Sequence, residues 1–163
     1  MSIELKNVTY TYSPGTSYEI HALKDINLNI PDGQFIGVIG HTGSGKSTLI
    51  QHLNALIQPT SGTVSYNGED VWAENYNRRA LRSEVGLVFQ YPEYQLFAET
   101  VAEDVAFGLK NFEKLTPEQT AAAVKEAMET VGLPYEEFKD KSPFEMSGGQ
   151  KRRAAIAGVI VTK

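Results

Sequence analysis

Cysteine is absent from this sequence of 163 residues, which excludes a disulfide framework and a thiolate metal site. No apolar run approaches the roughly 18 residues that a membrane-spanning helix needs, and the first residues lack the long apolar core of a signal peptide. Basic residues are not in excess either, because the net charge is −5. We therefore expect a cytosolic protein, free or at a membrane surface, and no nucleic-acid partner.

A glycine-rich stretch in the first half of the chain fits the phosphate-binding loop pattern, which is Gly, four residues, then Gly-Lys-Ser/Thr. Its residues are Gly40, His41, Thr42, Gly43, Ser44, Gly45, Lys46, Ser47 and Thr48. The apolar run 35–39 before it predicts a buried strand, and apolar residues at helical spacing follow in 49–57. A loop between a strand and a helix is the setting in which this pattern binds nucleotides.

Each residue type in this loop has a chemical reason. Glycines let the backbone take positive φ and approach an anion closely. Successive N–H groups then point into one concavity, and the N-terminus of the following helix adds partial positive charge. Lys46 supplies a mobile cation for the β- and γ-phosphates, and Ser47 supplies a hydroxyl for Mg²⁺. The alternative is a glycine- and serine-rich turn that caps a helix, but the flanking strand and helix favour nucleotide binding.

The remaining patterns predict an α/β fold with an N-terminal β region before the P-loop core. We expect strands over residues 3–12, 23–30, 63–66 and 85–89, the last of them buried. Asn67-Gly68 predicts a tight turn after the third of these strands. The fourth strand is expected to end at Gln90.

A helical insertion is predicted from about residue 91 to residue 144. Thr116, Pro117 and Gln119 indicate an N-cap, a first helical position and a capping box for one of its helices. With 41% hydrophobic residues the chain has the core of one domain. We expect a β region and P-loop core in 1–90, a helical subdomain in 91–145, and a final helix in 146–163.

A second glycine-containing feature follows Met146. Its residues are Ser147, Gly148, Gly149 and Gln150, and Ser147 with Gln150 fits a capping box. Read structurally, this is a capped helix start. Glycines are poor helix formers, however, and two of them at the first helical positions are explained if the backbone must approach a ligand. A hydroxyl, free N–H groups and a helix dipole would form a second anion site.

Other polar residues are weaker candidates for a functional site. The three histidines, His21, His41 and His52, show no metal-ligand spacing, and His52 is interpreted as a surface or packing residue. Glu103 and Asp104 are interpreted as a solvated or structural pair.

The order of these motifs resembles that of ABC-type ATPases over essentially the whole chain. Residues 40–48 match the Walker A motif, Gln90 matches the Q-loop glutamine, and 147–150 match the signature, where Met146 replaces the usual Leu. The resemblance implies a P-loop NTPase (RecA-like) core, here truncated.

A narrower resemblance lies in segments 89–97 and 100–108, which are similar to the ATP-binding subunits of energy-coupling-factor transporters. These transporters import vitamins and metal ions. Segments 10–16 and 39–43 are similar to the second of the two paired ATPases in that system.

The resemblance implies ATP and Mg²⁺ as ligands. Lys46 and the loop amides would hold the phosphates, Ser47 would ligate Mg²⁺, and Gln90 would reach Mg²⁺ or the attacking water. Tyr12 matches the aromatic residue that stacks on adenine. The alternative for Tyr12 is an ordinary strand tyrosine, since Tyr10 lies nearby.

The resemblance also implies partners. Ser147, Gly148 and Gly149 would contact the γ-phosphate bound to a partner subunit, so the active unit would be a dimer with a second homologous ATPase. Hydrolysis would be coupled to opening and closing of that dimer. A transmembrane coupling subunit and a membrane substrate-binding subunit complete the expected assembly, at the cytoplasmic face of the cell membrane.

Two kinds of motif are missing. No run of four apolar residues is followed by Asp, so no residue can be assigned as the Mg²⁺-ordering Asp or the general base. We therefore expect a fragment that binds nucleotide weakly, does not hydrolyse it and has an under-packed core. Asp-x-x-Gly and Asn-Lys-x-Asp are also absent, which disfavours a GTPase. A non-transport ABC ATPase and an interaction module with a vestigial loop remain as alternatives.

Overall fold

A computed structural model of the chain describes residues 1–112 and 114–162. The chain divides into two compact units, Met1–Val85 and Gly86–Lys163, and each unit has an apolar core of its own. Strands and helices are both present, in agreement with the predicted α/β class. None of the described helices has the length and hydropathy needed to cross a bilayer.

The first unit is built on an antiparallel sheet of four strands in the order β2-β1-β3-β4. These strands are β1 (Ile3–Tyr12), β2 (Ile20–Ile30), β3 (Ser61–Tyr66) and β4 (Glu69–Asp70). The predicted N-terminal β region is therefore confirmed, although β2 begins at Ile20 rather than at residue 23.

The apolar alternation of β1 is interrupted by a bulge. The pairing of β1 with β2 shifts register between Leu5 and Val8, and Asn7 between them has φ 50°. The Asn7 side-chain amide donates to Asp25 Oδ1 at 2.7 Å. A bulge adds one residue to a strand, so Leu5 and Val8 both lie buried although they are three positions apart.

The predicted turn at Asn67-Gly68 closes the β3–β4 hairpin. Asn67 has φ 50° and Gly68 has φ 85°, the two positive values that a two-residue hairpin of the right twist requires. Tyr66 pairs with Glu69 across this turn.

Two helices complete the first unit, α1 (Lys46–Leu53) and α2 (Arg78–Glu84). α1 is shorter than the apolar pattern through residue 57 predicts. The chain leaves the helix at Asn54, and Ala55 takes φ 52°. The backbone N–H of Leu56 then donates to Gln51 O at 3.0 Å, which closes the last turn.

The two apolar runs 35–39 and 85–89 are not strands, and this prediction is wrong. Phe35 and Ile39 are 103% and 95% exposed, and Val88 and Phe89 are 43% and 39% exposed. A strand forms only where a neighbour completes its hydrogen-bond ladder. Across the described ranges the sheet consists of β1 to β4 alone, so neither run has such a neighbour.

The second unit is helical. Its helices are α3 (Val101–Phe112), α4 (Pro117–Thr130), α5 (Tyr135–Phe138) and α6 (Gly148–Ile160), with short 3₁₀ turns at Pro92–Gln95 and Pro143–Glu145. α3 and α6 approach closely through glycine: a Cβ on Gly108 would lie 3.3 Å from Gly158 O. The core between the helices includes Val105, Met128 and Ala157, all buried.

Both predicted capping boxes are present. Thr116 Oγ1 accepts from the Gln119 backbone N–H at 3.3 Å, and Gln119 Oε1 accepts from the Thr116 N–H at 2.9 Å. α4 ends at Thr130, and Gly132 just beyond it has φ 69°. The Leu133 N–H returns to Met128 O at 2.9 Å. These ends are set by local hydrogen bonds, which explains why the sequence predicts them.

Candidate functional site

The glycine-rich loop lies directly before α1. Its turn is closed by the Ser44 N–H, which donates to His41 O at 3.2 Å. Gly43 and Gly45 have φ 84° and 89°, and Gly45 is the N-cap of α1. The first hydrogen bond of the helix runs from the Leu49 N–H to Gly45 O at 2.8 Å. The amides of residues 46–48 precede that bond and point out of the helix end, where an anion is favoured.

Gly45 also seats the loop against β2. A Cβ on Gly45 would lie 2.5 Å from Ala22 O and 3.3 Å from Leu23 Cδ2. A Cβ added at Gly43 would have no heavy atom within 4 Å. The loop backbone is therefore held in place by the sheet at one glycine and is open to solvent at the other.

Lys46 folds its side chain back over the loop. Nζ donates to Gly40 O at 2.7 Å and His41 O at 2.8 Å, and it lies 3.4 Å from Ser44 Oγ. The ammonium is thereby held at the centre of the loop beside the helix N-terminus. This arrangement places a positive charge beside outward-facing amides, a combination that favours an anion.

The two hydroxyls that follow Lys46 have different surroundings. The Ser47 side chain is exposed. Thr48 is only 7% exposed, and its Oγ1 lies 3.0 Å from the hydroxyl of Tyr12, the last residue of β1. Tyr12 is 38% exposed, and its ring meets the Tyr10 ring edge-on at 4.8 Å. The structure thus brings Tyr12 to the helix that begins in the loop.

His52 lies fully buried beneath this site. Its Nδ1–H donates to Thr48 O at 2.7 Å, and its ring packs against Tyr10 at 5.1 Å. Burial lowers the pKa of His52 and outweighs the backbone hydrogen bond, which raises it. Nε2 has no hydrogen-bond partner among the described residues. Of the two roles allowed by the sequence, the structure selects packing, with a neutral imidazole.

Gln90 lies in the second unit, after the irregular run 86–89, and its side chain is exposed. The 3₁₀ turn Pro92–Gln95 follows it. The exposed amide is free to meet a ligand.

Ser147 and Gln150 form the predicted capping box at the start of α6. Gln150 Oε1 accepts from the Ser147 N–H at 2.9 Å, and Ser147 Oγ accepts from the Gln150 N–H at 3.4 Å. Gly148 and Gly149 would meet no heavy atom within 4 Å if they carried a Cβ. Neither glycine is needed for packing among the described residues, so the open approach to this helix end is the feature that requires an explanation.

An ion pair that was not predicted joins the segments after Gln90 and after Gln150. Arg152 Nη2 lies 3.1 Å from Glu93 Oε1, and Arg152 Nε lies 3.5 Å from Oε2. The pKa of Glu93 is lowered by its own backbone N–H and by the Arg152 guanidinium. The partners are 59 positions apart, and no local pattern indicates such a pairing.

The structure decides between the two roles that the sequence allows for Glu103 and Asp104, solvated or structural. Asp104 is only 8% exposed, and its Oδ2 accepts from the backbone N–H groups of Phe97 and Ala98 at 3.0 and 2.9 Å. Burial raises its pKa. The role of Asp104 is therefore structural, because it ties the 97–98 loop to α3, while Glu103 is exposed.

A family model described as ABC transporter matches residues 23–163. A Clostridium acetobutylicum protein named energy-coupling factor transporter ATP-binding protein EcfA2 is 56% identical over 98% of this chain and 56% of its own length. A protein of the same name from Caldanaerobacter subterraneus is 54% identical over 100% of this chain and 56% of its own length.

Two solved structures are similar in fold. The ATP-binding cassette MJ0796, a dimer bound to ADP and Pi, has a TM-score of 0.83 at 32% identity, over 98% of this chain and 69% of that one. CbiO1 of Clostridium perfringens, part of the ABC transporter complex CbiONQ, has a TM-score of 0.81 at 39% identity, over 98% and 61%. The chain spans about half the length of the curated relatives it matches.

Proposed function

Because the chain belongs to the ABC transporter family, we propose that it binds ATP as part of the ATP-binding subunit of an energy-coupling-factor importer. The subunit would couple ATP binding and hydrolysis to uptake of a vitamin or a metal ion. The observation that carries the proposal is the loop at α1, where Lys46 Nζ is held over the turn at 2.7 Å from Gly40 O. The names of the relatives, which are 54–56% identical, support the transporter type.

The residues of the loop fit a nucleotide phosphate chain. The amides at the start of α1 would bind phosphate oxygens, and Lys46 would turn from the loop carbonyls toward the β- and γ-phosphates. The loop set proposed for this role is Gly40, His41, Thr42, Gly43, Ser44, Gly45, Lys46, Ser47 and Thr48. Because Gly45 packs on Ala22 O, the loop backbone is held in place by β2 before the ligand binds.

Ser47 and Gln90 are proposed to hold Mg²⁺. The exposed hydroxyl of Ser47 and the exposed amide of Gln90 are oxygen donors, the kind that this hard cation prefers. When bound, Mg²⁺ would neutralise charge on the β- and γ-phosphates. The alternative role proposed for Gln90 is to reach the attacking water. Tyr12 would stack on the adenine.

The start of α6 is proposed to bind a nucleotide held by a partner subunit. Ser147, Gly148, Gly149 and Gln150 would face the γ-phosphate across a dimer interface. Support comes from the open space at both glycines and from the dimeric state of the similar cassette MJ0796. The partner would be a second homologous ATPase.

The remaining partners are proposed from the relatives. A transmembrane coupling subunit and a membrane substrate-binding subunit would join the two ATPases, which would lie at the cytoplasmic face of the cell membrane. The similar CbiO1 is part of the complex CbiONQ. The 163-residue chain by itself is proposed to bind nucleotide weakly and without turnover. No run of four apolar residues in it is followed by Asp, so it offers no residue for the roles of Mg²⁺-ordering Asp and general base.

The proposal is tested by titrating the chain with Mg-ATP in the wild type and in Lys46→Ala. The substitution removes a charged donor to phosphate, and we expect affinity to fall about 10- to 100-fold. Lys24→Ala is the matched control, because Lys24 is an exposed lysine of β2 outside the loop, and its affinity should be unchanged. Equal affinities of wild type and Lys46→Ala would reject the nucleotide site and favour the vestigial-loop module.

A further inference from the structure

The base and phosphate parts of the proposed ATP site are joined by one hydrogen bond. The Tyr12 hydroxyl and Thr48 Oγ1 are 3.0 Å apart. Tyr12 ends β1 and Thr48 lies in the first turn of α1, 36 positions later. In the proposed site the two residues serve opposite ends of the nucleotide, so a bond between them links two functions that are otherwise separate.

Thr48 is the fixed member of this pair. It is 7% exposed, and its carbonyl accepts from buried His52 at 2.7 Å. Tyr12 is the more exposed member, because it is 38% exposed and ends its strand. A tyrosine ring at a strand end has side-chain freedom that must be lost when it binds a base.

Two contacts restrict the Tyr12 ring. The Tyr10 ring meets it edge-on at a centroid distance of 4.8 Å and an interplanar angle of 90°. The Thr48 hydroxyl holds the phenol oxygen at the far end of the ring. A ring held at its edge and at its tip can rotate little, so one orientation is set before a base arrives.

We propose that Thr48 is a positioning residue for adenine recognition, acting through its hydrogen bond to the Tyr12 hydroxyl. The inference rests on the proposed nucleotide site and goes beyond it, because it makes base selectivity depend on the phosphate-loop helix. Preorganisation of this kind increases affinity by lowering the ordering cost of binding. A neutral hydrogen bond of this type corresponds to about fivefold in affinity.

The test compares two ligands that share a polyphosphate and differ in the base. Dissociation constants of Mg-ATP and of Mg-bound inorganic triphosphate are measured for wild type and Tyr12→Phe, which keeps the ring and removes the hydroxyl. We expect the preference for ATP over triphosphate to fall about fivefold, with triphosphate affinity unchanged. Tyr10→Phe removes a hydroxyl two positions earlier in β1, and its ratio should equal that of the wild type.

Substitutions at Thr48 complete a double-mutant cycle with Tyr12→Phe. Thr48→Ser keeps a hydroxyl and should keep the ratio, whereas Thr48→Val should lower it as Tyr12→Phe does. The double variant Tyr12→Phe/Thr48→Val should lower the ratio no further than either single change, since both remove the same bond. A loss of phosphate affinity at Thr48 would weaken ATP and triphosphate binding alike, so it would leave the ratio of their dissociation constants unchanged.

Three results would overturn the inference. An unchanged ratio in Tyr12→Phe would show that the bond does not position the ring, and tighter ATP binding would show that it opposes nucleotide entry. Additive effects in the double variant would show that the two hydroxyls act separately. If the wild type bound neither ligand, the proposed function itself would fall together with the inference, which distinguishes the two failures.

Discussion

Replacing Gly45 by alanine tests whether the loop is held in shape by β2. The new Cβ would lie 2.5 Å from Ala22 O, a backbone atom that cannot move without the strand, and 3.3 Å from Leu23 Cδ2. Gly45 also has φ 89°, which alanine adopts with strain. Gly43 offers a matched control, because its φ is 84° and a Cβ added there would meet nothing within 4 Å.

The magnitudes separate the two effects. Positive φ costs an L-residue about 1 to 2 kcal/mol, and this cost is common to both variants. Overpacking against Ala22 O adds about 1 to 3 kcal/mol in Gly45→Ala alone. For a chain of this size each kcal/mol corresponds to about 2 to 4 °C in Tm. We therefore expect Gly45→Ala to unfold roughly 2 to 12 °C below Gly43→Ala.

Thermal unfolding followed by circular dichroism measures this difference, and Mg-ATP titration of the same samples measures its effect on the site. Gly45→Ala should also lose more ATP affinity than Gly43→Ala, because a displaced Gly45 moves the first amides of α1 away from the phosphates. Equal Tm values for the two variants would refute the conclusion that the loop is held in place by packing against β2. So would a Gly45→Ala protein that keeps wild-type stability.

Further predictions concern buried and paired groups. The pKa of His52 is lowered from 6.5 in the folded state, so the unfolded chain binds more protons below about pH 6.5, and stability should fall there as pH drops. A His52→Gln variant should lack this dependence of stability on pH, whereas His21→Gln, at an exposed histidine, should keep it. Thermal melts from about pH 7.5 to 5 measure the dependence in both variants. Asp104→Ala leaves two loop amides unpaired and should cost about 1 to 3 kcal/mol, while Asp104→Asn retains an acceptor and should cost less; a smaller loss in the alanine variant would contradict this. Glu93→Arg or Arg152→Glu alone should lower Tm, and the double reversal should recover part of the loss; additive losses would show that the pair does not interact.

The features that depend only on residues close together in the sequence could be predicted. The capping boxes at Thr116 and Ser147 and the turn at Asn67-Gly68 were each predicted and found. Each involves hydrogen bonds that close within a few residues, so the local sequence contains all the groups needed. The same holds for the loop, where glycine and lysine spacing alone indicates the turn before α1.

The strand predictions at 35–39 and 85–89 failed for the opposite reason. Hydrophobicity shows that a segment can be buried, but a strand also needs a neighbouring strand at the right register. The burial or exposure of polar side chains could likewise not be predicted from the residues next to them in sequence. Asp104 is buried and Gln90 is exposed, and neither state follows from the residues beside them.

By itself the sequence determined where an anion could bind: the order of a Gly-Lys-Ser loop and a Ser-Gly-Gly-Gln helix start sets backbone N–H groups free at two helix ends. Only the tertiary structure decided what supports them. The approach of Gly45 to Ala22, the bond from Tyr12 to Thr48 and the pair of Glu93 with Arg152 join residues 23 to 59 positions apart. Such contacts depend on how whole elements pack, because many pairings are compatible with any local pattern and the packing of the core selects one of them.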